Sequence, residues 1–203
     1  MANVLIAFYS RDGATEALAK AVAEGARAAG AEVRLRRARE LVGPEIMANV
    51  PGWAEAAARM NGSYPAPIVD DAVWADAIVF GSPTRFGGAS SELRAYIDSL
   101  GGAWFQGKLN GKAGSAFSAS STRHGGNEST LLTLYNTMAH LGLIIVPTGY
   151  ADPAMFKGGT PYGATAAVPR NAAPTEDDLG AARYQGRRVA EIAATLKASQ
   201  PAA

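Results

Sequence analysis

The chain has no cysteine, which excludes disulfides, thiolate nucleophiles and cysteine metal sites, and its two histidines leave little for a metal. It also lacks an excess of charge of either sign: 19 Lys and Arg stand against 18 Asp and Glu, a formal net charge of +1. Near-neutrality argues against nucleic acid as the main partner and offers no basic stripe to a membrane. Long hydrophobic runs are missing too. The apolar stretch Val4–Tyr9 is far too short for a signal sequence or a membrane span, and no charged segment precedes it, so the expected address is the cytoplasm. What is present is 203 residues, 48% hydrophobic and 18% charged, enough for one domain with a sizeable core and short for two.

The stretch Asn3–Thr15, NVLIAFYSRDGAT, organises the rest. A β-branched, apolar strand runs into Ser10-Arg11-Asp12-Gly13-Ala14-Thr15, and helix formers follow at once. Such a turn aims backbone N–H groups inward, and the helix start adds partial positive charge, which suits an anion. The spacing is neither the triphosphate loop ending in Gly-Lys-Ser/Thr nor the dinucleotide G-x-G-x-x-G, so it suits a single terminal phosphate.

Further along, Leu18, Val22, Ala26 and Ala29 mark a first helix with Gly30 as its C-cap. Glu32–Arg37 alternates, as an outermost strand does, and the basic run Arg34–Arg39 reads as its solvated side. Residues 41–67, punctuated by prolines, read as an excursion with a short helix around Trp53–Met60. After the lead-in Val69–Ala75 comes the strand Ala77–Gly81, then a polar turn Ser82–Gly88 and a helix bearing Leu93, Ile97 and Leu100. Gly101-Gly102 is expected to end that helix and leave Trp104 in a loop. Lys112–Phe117 and Leu143–Val146 read as the last strands, separated by a helix with Leu131, Leu134, Met138 and Leu141. Residues 149–174 form a long loop, Thr175-x-x-Asp178 boxes the start of a final helix, and 199–203 form a frayed tail. Five strands alternating with helical segments predict one doubly wound α/β domain over residues 1–198 with a parallel sheet.

In an open parallel sheet, ligands bind beyond the carboxyl ends of the strands where the strand order reverses. Three loops fall there: Ser10–Thr15, Ser82–Gly88 and Ser118–Gly126, each mixing Ser or Thr, Gly and one Arg. One such loop is weak evidence of a ligand; three at consecutive strand ends are strong.

These loops also carry a resemblance. With Gly81-Ser82-Pro83-Thr84-Arg85-Phe86-Gly87, Gly101-Gly102 before Trp104, Gly125-Gly126-Asn127-Glu128, Met138–Gly142, Pro147–Tyr150 and Gly158–Ala164, the chain resembles the flavodoxin-like type IV NAD(P)H:quinone oxidoreductases, the WrbA family. The resemblance spans nearly the whole chain. It implies a three-layer sandwich with strand order 2-1-3-4-5, FMN as cofactor, NADH or NADPH as donor, a quinone as acceptor and a homotetramer. By the same resemblance Ser10, Arg11, Asp12, Gly13, Ala14 and Thr15 would hold the FMN phosphate. Thr84, Arg85 and Phe86 would line the ribityl chain and ring, and Ala119, Ser120, Ser121, Thr122, Arg123, His124 and Gly125 would wrap its other side. His140 would contact the flavin, and Trp104 would wall the space for nicotinamide and quinone, from a neighbouring subunit if the chain is tetrameric.

Two positions depart from the family pattern: Asp12 stands where an aromatic is frequent, and Ala14 where a histidine or asparagine is. Asp12 sets a carboxylate beside a dianionic phosphate, and the loss of an aromatic there removes a surface for the dinucleotide, so Asp12 is also assigned to substrate binding. No side chain is required as an obligatory acid or base, and no metal site is expected. Two other readings compete: a single-electron carrier of the flavodoxin type, which near-neutral charge disfavours because such carriers dock through a one-sign face, and a regulatory binding protein, flavin-binding or flavin-free.

Overall fold

The computed structural model describes residues 1–170 and 172–199. In chain order they form β1 (Asn3–Phe8), α1 (Ala14–Ala28), β2 (Glu32–Arg37), α2 (Pro44–Met47), α3 (Trp53–Ser63), α4 (Val69–Trp74), β3 (Ala77–Arg85), β4 (Gly88–Ala89), α5 (Ser91–Ser99), α6 (Gly101–Phe105), β5 (Ala113–Ser120), α7 (Asn127–Leu141), β6 (Ile144–Ile145), a 3-10 turn (Pro153–Phe156), β7 (Thr165–Ala167) and α8 (Glu176–Ser199). The parallel sheet has the order β2-β1-β3-β5-β6. Counted along these five strands, it is the expected 2-1-3-4-5.

Alternation along each strand divides the core. Val4, Ile6 and Phe8 of β1 face α1 and α8, while Leu5 and Ala7 face the layer that holds Leu93, Ile97, Leu131 and Leu134 of α5 and α7. Both faces of the central strands are therefore covered, which is why β1 and β3 read as unbroken apolar runs. α1 and α8 approach closely because Gly25 and Gly186 carry no Cβ: one at Gly25 would lie 1.8 Å from the Arg183 carbonyl oxygen, and one at Gly186 1.9 Å from that of Val22.

Several expectations are corrected. β3 does not end at Gly81 but runs on to Arg85 and folds back on β4, so Ser82–Gly88 is a hairpin rather than a polar turn. The lead-in Val69–Ala75 is the helix α4, and Trp104 lies in α6, because the chain turns straight into a second helix at Gly101. β2 is the edge strand, yet its basic run is not solvated. Arg34 and Arg36 both bind Asp71 of α4 at 3.1 and 2.8 Å, and Arg37 is fully buried. The long loop 149–174 hides β7, which pairs with the upper half of β5 while β6 takes the lower half. Its sequence, Thr-Ala-Ala, has too little bulk to read as a strand. The Thr175–Asp178 box forms as expected, with Thr175 N–H donating to the Asp178 carboxylate at 2.9 Å and Asp178 N–H to Thr175 Oγ1 at 3.2 Å. Of the expected tail, Ser199 closes α8 and 200–203 lie outside the described residues, as does Asn171 of the long loop. Among the described residues no helix is long and apolar enough to cross a membrane, and no group of acidic and histidine side chains could hold a metal ion.

Candidate active site

β1, β3 and β5 end side by side, and their loops enclose a cleft of about 380 Å³, within the range of small-molecule and cofactor sites. Ser10 and Thr15 are buried at its floor. Gly13, at φ +101°, makes the left-handed turn into α1, and its N–H donates to Ser10 Oγ at 3.2 Å. The N–H groups that open α1 have no partner within the helix, as at every helix start, and Ala14 and Thr15, which carry the first of them, line the cleft. Such a neutral donor set fits a phosphate dianion.

The floor is braced from behind. The Arg37 guanidinium donates to the Ser10 carbonyl at 2.9 Å, to Asn61 Oδ1 at 2.6 Å and to the Glu40 carboxylate. Burial works to raise the pKa of Glu40, but the hydrogen bond and the positive charge of Arg37, with smaller hydrogen-bond contributions, together outweigh it and hold the carboxyl below its ordinary range. At the first turn of α1, Glu16 accepts from Arg59 at 3.0 and 2.6 Å and from the Tyr64 hydroxyl at 2.9 Å, with Lys20 at 2.9 Å. Burial again pushes the other way, but these partners hold Glu16 at about 2. Both networks join the excursion 41–67 to the phosphate-type loop, a role its sequence does not announce.

In the second loop the Thr130 hydroxyl donates to Thr84 Oγ1 at 2.9 Å, and Arg85 donates to the Thr84 carbonyl at 3.0 Å. Burial, with Arg11 close by, moves Arg85 below its ordinary value. Phe86 and Gly87 are the two central residues of the β3–β4 hairpin, at φ +52° and +78°. Two positive angles mark the primed turn that suits strand twist, usually filled by Asn-Gly. Here it carries a fully exposed phenyl ring at the cleft mouth, a strained arrangement typical of functional sites. In the third loop Ala119, Ser120, Ser121, Thr122 and Gly125 line the cleft, whereas Arg123 and His124 point away into solvent. Asn127 fixes this loop by donating to Ser120 Oγ at 3.0 Å and to the Ala166 carbonyl of β7 at 3.1 Å.

A fourth wall was not foreseen. Val168, Pro169 and Arg170, just past β7, also line the cleft, and the Val168 N–H binds the Ser120 carbonyl at 3.0 Å. Only the pairing of β7 with β5 brings them there. Asp12, which faces the cleft, is compensated by two cations: its Oδ1 is 3.5 Å from Arg11 Nε and 3.6 Å from Arg170 Nε.

The chain itself does not bring His140 and Trp104 to this cleft. α7 starts at the cleft with Asn127, and at 1.5 Å per residue His140 lies about 20 Å down its axis. It lines a separate hollow with Trp104, Phe105 and Asn110, beside the amino ends of β5 and β6. Contact of either residue with a ligand in the cleft therefore requires a second copy of the chain.

A parallel sheet in this order, with a phosphate-type loop, an exposed aromatic and a cleft beyond its central strands, defines a flavodoxin-like protein. Residues 3–154 match the family described as NADPH-dependent FMN reductase. An NAD(P)H dehydrogenase (quinone) of Methylocella silvestris is 44% identical over 97% of this chain and 100% of its own length. One of the same name from Deinococcus radiodurans is 46% identical over 96% of each. Among solved structures, the WrbA-like flavodoxin of Agrobacterium tumefaciens superposes with a TM-score of 0.67 at 27% identity, covering 96% of this chain and 99% of that one. The chain belongs to the FMN reductase family, among its WrbA-like quinone-reductase members.

Proposed function

We propose that this chain is an FMN-dependent NAD(P)H:quinone oxidoreductase that works by a two-electron, ping-pong cycle. The observation that carries the reading is the convergence of the Ser10–Thr15 turn, Thr84–Phe86, and Ala119–Thr122 with Gly125 on one cleft with the donors a phosphate-headed, planar cofactor needs. FMN bound there supplies the redox chemistry, accepting two electrons from the nicotinamide and passing them to the quinone. The protein's part is to hold and orient. Ser10, Thr15 and the N–H groups opening α1 receive the phosphate; Arg11, Asp12, Gly13 and Ala14 shape the loop around it. Thr84, Arg85 and Phe86 flank the ribityl chain and ring, and Ala119–Gly125 cover the other side, with Arg123 and His124 at its outer edge. Arg85, less hydrated than a surface arginine, favours negative charge on a reduced ring. No side chain in the cleft is needed as acid or base.

The reading takes residues 1–198 as one unit, since the cleft draws on positions from 10 to 170 and α8 packs on α1. It also takes a homotetramer in which Trp104 and His140 of a neighbouring copy complete the site. The exposure of Phe105 at 85% and Phe156 at 75%, with Trp104 and Tyr150 half exposed, supports an interface on those faces. A cytoplasmic setting follows from the demand for NADH or NADPH. The test is to load the purified protein with FMN and add NADH or NADPH with benzoquinone. Nucleotide oxidation well above that of free FMN is expected; oxidation no faster than free FMN refutes the reading.

A further inference from the structure

The neutral donors at the floor of the cleft suffice for one phosphate, yet the mouth carries cationic groups beyond that need. Arg11 and Arg170 converge on a single carboxylate oxygen of Asp12, at 3.5 and 3.6 Å. One carboxylate between two guanidiniums leaves an unbalanced positive charge on a surface open to solvent, with Arg11 29% and Arg170 39% exposed. Arg11 lies 5.1 Å over the Trp53 ring, and its buried Nε–H has no hydrogen-bond acceptor. Arg170 is held from the other side, donating through Nη2 to the Pro51 carbonyl at 3.0 Å. Both side chains are thus fixed in place with donors to spare. Two guanidiniums sharing one acid match a doubly charged phosphate better than either would alone.

We infer that Arg11 and Arg170, aligned by Asp12, form a second phosphate subsite that takes the 2′-phosphate of NADPH and makes the enzyme prefer NADPH over NADH. The inference rests on the proposed reductase function and deepens it. A pyrophosphate is common to both nucleotides, so a clamp on it would favour neither. A 2′-phosphate is a terminal group with about two charges near neutral pH, so the second cation matters for it. Asp12 acts as a positioning residue: its carboxylate lies between the two guanidiniums and holds them together at the mouth of the cleft.

The test separates this subsite from the activity itself. Calorimetry on FMN-loaded protein compares adenosine 2′,5′-bisphosphate with 5′-AMP, which needs no turnover. The wild type is expected to bind the bisphosphate at least about tenfold more tightly, and Arg170→Ala to erase most of that margin. Arg170→Lys, which keeps the charge but not the fork, restores part of it. The ratio of kcat/KM for NADPH to that for NADH falls in parallel in Arg170→Ala. FMN affinity of the apoprotein, read by flavin fluorescence, moves far less than bisphosphate affinity. A margin that survives in Arg170→Ala, an equal loss for bisphosphate and AMP, or a matching loss of FMN affinity each overturns the inference. A wild type that binds the bisphosphate tightly but oxidises no nucleotide overturns the proposed activity and leaves the subsite standing.

Discussion

The acid network behind the phosphate-type loop makes a prediction that depends on one carboxyl. Glu16 is bound by Arg59, Lys20 and Tyr64 and is held at about 2 from an ordinary 4.5, despite burial that opposes it. Each tenfold change in proton affinity corresponds to about 1.4 kcal/mol, so the full displacement sets a ceiling of about 3 kcal/mol on what the ionised group contributes. The net figure is smaller. Arg59 and Lys20 are 53% and 54% exposed, and water screens their share. For Glu16→Gln we expect a loss of about 1–2 kcal/mol at pH 7. The sign with pH follows from a folded value below the unfolded one. Stability from Glu16 is complete above about 4.5 and is lost as pH falls toward 2. Urea unfolding of wild type and variant at pH 7, 5, 4 and 3 reads the difference, since other carboxyls titrate in both and cancel. The gap should be full at pH 7 and 5 and shrink below 4.5. A gap that stays constant down to pH 3, or is absent at pH 7, would refute the reasoning.

Two further substitutions probe the scaffold. Gly186→Ala places a Cβ 1.9 Å from the Val22 carbonyl, and backbone cannot yield as a side chain can. The overlap outweighs the roughly 1 kcal/mol that Ala gains over Gly in a helix, so the thermal midpoint should fall by several degrees; a rise would show that α8 slides freely on α1. Arg37→Met leaves Glu40 buried without its cation and the Ser10 carbonyl without its donor, at a cost of about 3–5 kcal/mol. Because Ser10 sits in the loop, FMN retention on gel filtration should fall as well, and unchanged retention in a folded variant would remove Arg37 from any role in shaping the site.

Much of the fold was legible because its signals are local. Apolar runs at Val4–Phe8 and Ala77–Gly81 mean strands covered on both faces, and the steps of three and four in α1, α5 and α7 mean helices against them. The strand-end loops, with their hydroxyls and glycines, stood out for the same reason, and they line one cleft. Where the sequence misled, the deciding partner was distant. Arg34 and Arg36 look solvated until Asp71 is placed beside them, and Ser82–Arg85 looks like a turn until β4 pairs with it.

The sequence by itself thus determined a parallel α/β sheet and, by its motifs, the family of flavin reductases, and it pointed to Ser10–Thr15 as the turn that closes the cleft floor. Only the tertiary structure decided who meets whom at the cleft. Thr165–Ala167 adds to the upper edge of β5 and carries Arg170 to Asp12, answering the charge that made this carboxylate look misplaced beside a phosphate. The rigid length of α7 keeps His140 away with Trp104. The physical reason is the same in both cases: a residue's type and local spacing fix its element, but its partners are set by strand pairing and helix length, which join or separate residues that are not neighbours in the chain.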